Sequence, residues 1–222
     1  MRRKSLIPIS LLALTLFASP ASAWDDFLGA RPLGMSGAHS AIVTSNDSIF
    51  INPAGMALFK RYSFETQYLL TPEFGVEDGP MELVFNVSVV DNQITPVATG
   101  LSYTRVERGD AKTGNRYDMA LAYSLSPSIL IGTNVKYIQY EREGREDLDV
   151  VTLDFGMLMR FDFGLSIGLV GYNLTNTGDY LEHPVSMAAG LSYSPFRTLS
   201  IAFDWMINFQ KPDLAADALG EK

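Results

Sequence analysis

The chain has 222 residues, with 17 basic against 25 acidic side chains, a formal net charge of −8 and no cysteine. Without cysteine there are no disulfide staples, no thiolate metal ligands and no cysteine-dependent catalysis. The acidic balance excludes the basic patches on which nucleic-acid binding rests, and the length suits one domain.

Taken in chain order, residues 1–23 read as a secretory leader. Arg2, Arg3 and Lys4 supply the positive end, Leu6 to Phe17 the short apolar stretch, and Ala21, Ser22 and Ala23 the small-residue cleavage site. The apolar stretch is too short for a permanent membrane helix, and no later segment has the ~18–20 apolar residues of a spanning helix. Cleavage would start the mature chain near Trp24 and make it more acidic still. An exported chain with strong alternation and no membrane helix is either a soluble periplasmic β-protein or an outer-membrane barrel.

Residues 24–60 differ in character from the remainder of the chain. Ala30, Arg31, Gly34, Met35, Gly37 and Ala38 lie in a small-residue run, Asp47 comes next, and Asn52, Pro53, Ala54 and Gly55 close it. Asn52 before Pro53 predicts an N-cap and first helical position, with one or two helical turns over 54–59. A segment of this composition suits a compact plug inside a barrel mouth.

Residues 61–209 carry the alternation. Nine strands are predicted near 61–70, 81–90, 96–106, 117–125, 129–140, 150–160, 163–174, 185–194 and 198–209. In the last, Leu199, Ile201, Phe203, Trp205 and Ile207 share one face, while Ser200, Ala202, Asp204, Met206 and Asn208 share the other. Large apolar residues on one side and small or polar ones on the other suit a wall between lipid and a crowded lumen. Short connections at 91–95, 126–128, 161–162 and 195–197 alternate with long polar ones at 71–80, 107–115, 141–149 and 175–184. That rhythm predicts an antiparallel up-and-down barrel. Tyr62, Tyr103, Tyr123, Phe161, Phe163, Tyr193, Phe196 and Phe209 fall near strand ends, where aromatic girdles are expected. Residues 210–222 form a polar tail.

On the predicted lumen face stand Glu65, Gln67, Glu82, Asn86, Asp118, Asn134, Lys136, Asp154, Arg160 and Asp204. Opposite charges there are expected to pair across a narrow space, with a solute path as the alternative. His39 and His183, the two histidines, have no ligand spacing, and no nucleophile-elbow phrase occurs. No catalytic residue, cofactor or metal site is expected, so the chain does not read as an enzyme.

The phrase Ala30, Arg31, Gly34, Met35, Gly37, Ala38, then Asp47, then Asn52, Pro53, Ala54, Gly55, resembles the opening of the FadL-type long-chain fatty-acid channels and their PorV-type relatives. Later phrases, Ile131 to Tyr137 and Gly168 to Leu174, resemble the PorV-type side. The resemblance implies a bacterial outer-membrane barrel plugged by its N-terminal segment, with membrane lipid as surroundings. FadL-type membership implies transport of hydrophobic compounds such as long-chain fatty acids. PorV-type membership implies an accessory role in protein secretion or surface attachment, with a protein partner. A soluble periplasmic β-protein remains the third reading. The odd strand count departs from the even number usual in single-chain bacterial barrels, which predicts a shortened or truncated member.

Overall fold

A computed structural model of the chain describes residues 32, 34, 35, 37–43, 45–72, 81–108, 112–142, 147–175, 183–196 and 198–209. The expected leader, the polar tail 210–222, and Ala30 and Arg31 lie outside them.

The fold is all-β. Nine strands form one antiparallel sheet in which each strand pairs with its neighbour in sequence. They are β1 (Tyr62–Pro72), β2 (Met81–Asp91), β3 (Val97–Arg108), β4 (Lys112–Ser126), β5 (Ile129–Arg142), β6 (Leu148–Arg160), β7 (Leu165–Tyr172), β8 (Ser186–Phe196) and β9 (Leu199–Asn208). The up-and-down order follows from the alternation. Every strand has one face to bury, and short turns let the next strand present its own face on the same side. The ladder is continuous from β1 to β9, and no β1–β9 pairing closes it among the described residues.

Most strands run one or two residues past the ends expected from sequence, with the largest departure between β3 and β4 and the opposite sense at β7. The predicted connection 107–115 belongs mostly to strands, because β3 and β4 pair out to Arg108 opposite Lys112. Arg105, Glu107, Thr113 and Asn115 have the polarity of a loop, but the backbone ladder outlasts the apolar stripe. The strand predicted over 163–174 is shorter at both ends. Gly164, at φ 91°, closes the turn before β7, and Asn173, at φ 55°, ends the strand. Asparagine is one of the few side chains that adopts this left-handed conformation readily.

The N-terminal segment lies on the inner face of the sheet. It contains a short helix α1 (Ser48–Ile51) and a 3-10 helix over Pro53–Leu58. Asn52 caps the second: its side chain accepts a hydrogen bond from the Ala54 N–H, and Pro53 takes the position whose N–H has no helical partner. The expected turns are therefore present in the tighter 3-10 form. Val43, Ile49, Phe50, Ile51 and Met56 pack against Val90, Ala98, Ala120, Ala122 and Ile138 of β2 to β5. This apolar cluster is the core of the molecule.

Candidate functional site

The inner face is built to receive the N-terminal segment. Gly132 of β5 stands opposite Gly156 of β6, and Gly168 of β7 opposite Gly190 of β8. A Cβ at Gly132 would meet the Pro53–Ala54 backbone, one at Gly156 the Asn52 side chain, and one at Gly168 the Ser40 carbonyl. At Gly190 it would meet Asp204 and the Ala41 N–H. Missing side chains on neighbouring strands thus leave a track along which the backbone of residues 40–54 comes within contact of the sheet.

Polar groups fix the segment at both ends. On β9, Asp204 Oδ2 accepts from the backbone N–H groups of His39 and Ser40, at 3.0 and 2.7 Å. On β1 and β2, Asn46 donates through Nδ2 to the Ser88 carbonyl and hydroxyl, and accepts from the Ser63 hydroxyl. Glu65 accepts from the Asn46 N–H at 3.3 Å, and Gln67 donates to Asp47 at 3.0 Å. Between these anchors Asn52 donates to the Ser40 and Met157 carbonyls. Asn92, after β2, donates to the carbonyls of Met56 and Phe59. The segment therefore spans the inside of the sheet from one edge strand to the other, which requires the sheet to be curled.

Above the glycine track lies a buried ionic tier. Arg116 pairs with Asp118 at 2.9 Å and Lys136 with Asp154 at 2.8 Å, every one of these side chains at most 2 % exposed. Asn134 donates to Asp118, Lys136 donates to Asn173 Oδ1 at 2.6 Å, and the Asn173 N–H donates to Asp154. Asp118 and Lys136 stand directly opposite on β4 and β5. Two cations face two carboxylates, so attraction and hydrogen bonds offset their loss of water. The tier also grips the segment. The Arg116 guanidinium sits 5.3 Å from the Phe50 ring, and the Tyr172 hydroxyl donates to the Ile51 carbonyl.

Of the lumen-facing residues expected from sequence, Glu65, Gln67 and Asp204 hold the segment, while Asp118, Asn134, Lys136 and Asp154 meet in the ionic tier. Asn86 is buried beside them, donating to the hydroxyls of Ser102 and Thr104. The side chain of Glu82 lies outside the described residues. Arg160 stays at the exposed short-turn rim, 5.9 Å from the Phe59 ring. Of the segment phrase, Asp47, Asn52, Pro53, Ala54 and Gly55 are buried in the contact, whereas Gly34 is exposed and Met35, Gly37 and Ala38 are half-buried. Sequence reasoning missed Arg116 and Asn173. Arg116 shares the parity of Asp118, two residues on. Asn173 comes after Gly171 and Tyr172 at a strand end, where an asparagine signals a left-handed stop.

Past the ionic tier, toward the long connections, the inner face turns apolar. Leu69, Val84, Val106, Tyr140 and Leu148 continue the row from strand to strand, with Gly114 between Val106 and Tyr140. Here the wall is also uneven. The β6–β7 ladder runs only from Phe155 to Arg160; among the described residues, β6 beyond it is met by one backbone bond, Leu174 N–H to the Leu153 carbonyl.

The outer face reverses these properties. Phe64 is 65 % exposed, Phe203 67 % and Trp205 59 %, and the described strands form one sheet, with no second sheet over these residues. Tyr62 and Tyr68 on β1, like Tyr123 and Tyr117 on β4, bracket this apolar zone at six-residue spacing, about 20 Å along a strand. Tyr103, Tyr117 and Tyr137 form one side of the bracket, in register on β3, β4 and β5, with ring centroids 5.3 and 6.1 Å apart. No helix among the described residues is long and apolar enough to cross a membrane. No family model, curated protein or solved structure matches the chain.

Proposed function

We infer that the chain forms the wall and plug of an outer-membrane β-barrel that admits hydrophobic compounds, long-chain fatty acids being the type. The observation that carries the membrane reading is the inverted burial. Arg116, Lys136, Asp118 and Asp154 are buried inside while phenylalanine, leucine and tryptophan cover the outside. In water that outer face is an aggregation surface, and fully buried lysine and arginine are rare. In a bilayer each set meets its preferred surroundings, and tyrosines at both borders suit the interface.

The transport part is supported by two features of the long-connection end. The apolar row from Leu69 to Leu148 lines the inner face there and is packed into the core cluster, so it meets an apolar solute only where that packing opens. Among the described residues, the short β7 leaves the adjoining edge of β6 largely without a strand partner, and in lipid such an edge is tolerated only where it is covered or lines a cavity. A lateral passage beside β6 meets that condition.

The accessory, secretion-type reading has one observation in its favour: the segment fills the glycine track and packs against the inner face of the sheet. Uptake of a fluorescent long-chain fatty acid into vesicles carrying the full chain separates the two. Transport predicts uptake above protein-free vesicles, increased when Asp204→Ala frees the segment. Uptake equal to protein-free vesicles with both chains would reject transport and leave the accessory role. Recovery of a monodisperse soluble monomer without detergent would reject the membrane reading itself.

A further inference from the structure

The outer face carries two adjoining depressions, one across strands β1 to β5 and one across β3 to the start of β6, and their chemistry changes at the tyrosine row. On one side is an apolar depression of about 490 Å³, lined by Phe64, Val89, Leu101, Met119 and Val135 and bordered by Tyr103, Tyr117 and Tyr137. On the other is a polar one of about 310 Å³, lined by Arg105, Asn115, Gln139, Glu141, Asp147 and Asp149. The row between them is held from the polar side. Tyr103 donates to Asn115 Oδ1 at 2.8 Å, and Gln139 donates to the Tyr137 hydroxyl at 2.6 Å.

We propose that these two depressions form one binding site for a zwitterionic phospholipid, with an acyl chain in the apolar part and its phosphate and ammonium in the polar part. The proposal rests on the reading of the outer face as lipid-facing. Charge selects the head group. Arg105 supplies a guanidinium whose fork matches phosphate oxygens. It is paired with Glu107 at 3.1 Å, but both side chains are substantially exposed, at 34 % and 47 %, so that pair is weak and exchangeable. Around it stand the carboxylates of Glu107, Glu141, Asp147 and Asp149. A purely anionic head group is repelled by that set. A head group with a phosphate and an ammonium satisfies both signs, with phosphate on Arg105 and ammonium toward Glu141 and Asp149. The tyrosine row lies where the glycerol backbone crosses from apolar to polar surroundings, the position amphipathic rings favour.

The test uses the full chain in nanodiscs with equal amounts of phosphatidylethanolamine and phosphatidylglycerol, followed by native mass spectrometry of the released protein. One phosphatidylethanolamine should remain bound in preference to phosphatidylglycerol. Arg105→Gln should lower its retention about tenfold, the effect of losing one charge-assisted hydrogen bond. Leu101→Trp, which fills the apolar depression, should abolish it, while Leu191→Trp on the outer face of β8 should leave it unchanged. Variants are compared only after each shows the heat-modifiable gel mobility of the parent. Equal retention of both lipids, or retention of phosphatidylglycerol that depends on added magnesium, overturns the site. So does retention unaffected by Arg105→Gln and Leu101→Trp together. A chain that stays soluble and takes up no lipid overturns the membrane reading and the site with it. A chain that inserts and holds no preferred lipid overturns the site alone.

Discussion

Asp204 and Ser40 are joined by a 2.7 Å hydrogen bond from backbone N–H to carboxylate across 164 residues of chain. Together with the bond from His39, it is the described attachment of the N-terminal segment to β9. Hydrogen bonds to a charged group contribute ~1.5–3 kcal/mol, and more is lost when donors stay buried without an acceptor. Asp204→Ala should therefore expose residues 38–47 to hydrogen exchange and protease, while β2 to β6 stay protected. Asp204→Asn should lie between the two. Unchanged protection in the alanine variant would show that the glycine track alone holds the segment.

The track itself is testable at Gly156 and Gly132. Gly156→Ala pushes a methyl group into Asn52, and Gly132→Ala into the Pro53–Ala54 backbone. Overpacking of this kind costs ~1–3 kcal/mol. Gly34→Ala is the control, since among the described residues nothing lies within 4 Å of its added carbon. Denaturant titration in detergent should rank the two track variants well below the control. Equal stability of all three would mean that the segment sits off the sheet.

The ionic tier should show the asymmetry of buried ion pairs. Lys136→Met leaves Asp154 buried without its cation and is expected to cost ~3–5 kcal/mol. Adding Asp154→Leu to that variant removes the stranded charge and should recover much of the loss. The measurement is a double-mutant cycle on unfolding midpoints. A double variant no better than Lys136→Met would show that Asp154 keeps other compensation.

Two equally exposed phenylalanines separate the bilayer from water as surroundings. Phe203 is 67 % exposed in the middle of the apolar zone and Phe196 is 69 % exposed at the short-turn rim. In a bilayer, arginine costs ~2–4 kcal/mol near mid-depth and ~0–1 kcal/mol near the border. Phe203→Arg should impair insertion and Phe196→Arg should hardly affect it. In water the two changes would be alike, and similar results for both would reject the lipid-facing assignment.

The strands were legible because period two survives in nearly every one. In Leu199 to Asn208 all five residues that alternation placed outside are exposed, although Ser200 and Met206 of the other face are exposed as well. Their ends were less legible where polarity and pairing part company, as at Glu107 and Thr113, whose side chains suit a loop while their backbones remain in the ladder. The ionic tier was half legible. Asp118, Lys136 and Asp154 followed from parity, but Arg116 was hidden because the strand predicted from 117 starts at Lys112, five residues earlier. That Asn134 would join Asp118, or Asn173 would reach Lys136, depends on register and on a left-handed turn, which one strand's pattern does not encode. The glycines were visible, but their common track required the alignment of four strands.

Only six residue steps lead from Ser40, held by β9, to Asn46, held by β1 and β2. At ~3.5 Å per residue that stretch reaches at most about 20 Å, so it limits how far the two edge strands can part. It also imposes an order of assembly. The contacts to β1 and β2 are local and can form early, whereas the contact to Asp204 waits for the last strand, and bonds of such sequence separation form late. Until β9 arrives, the segment is tethered at one end with its other end free. Docking on Asp204 is then the event that reports a finished wall.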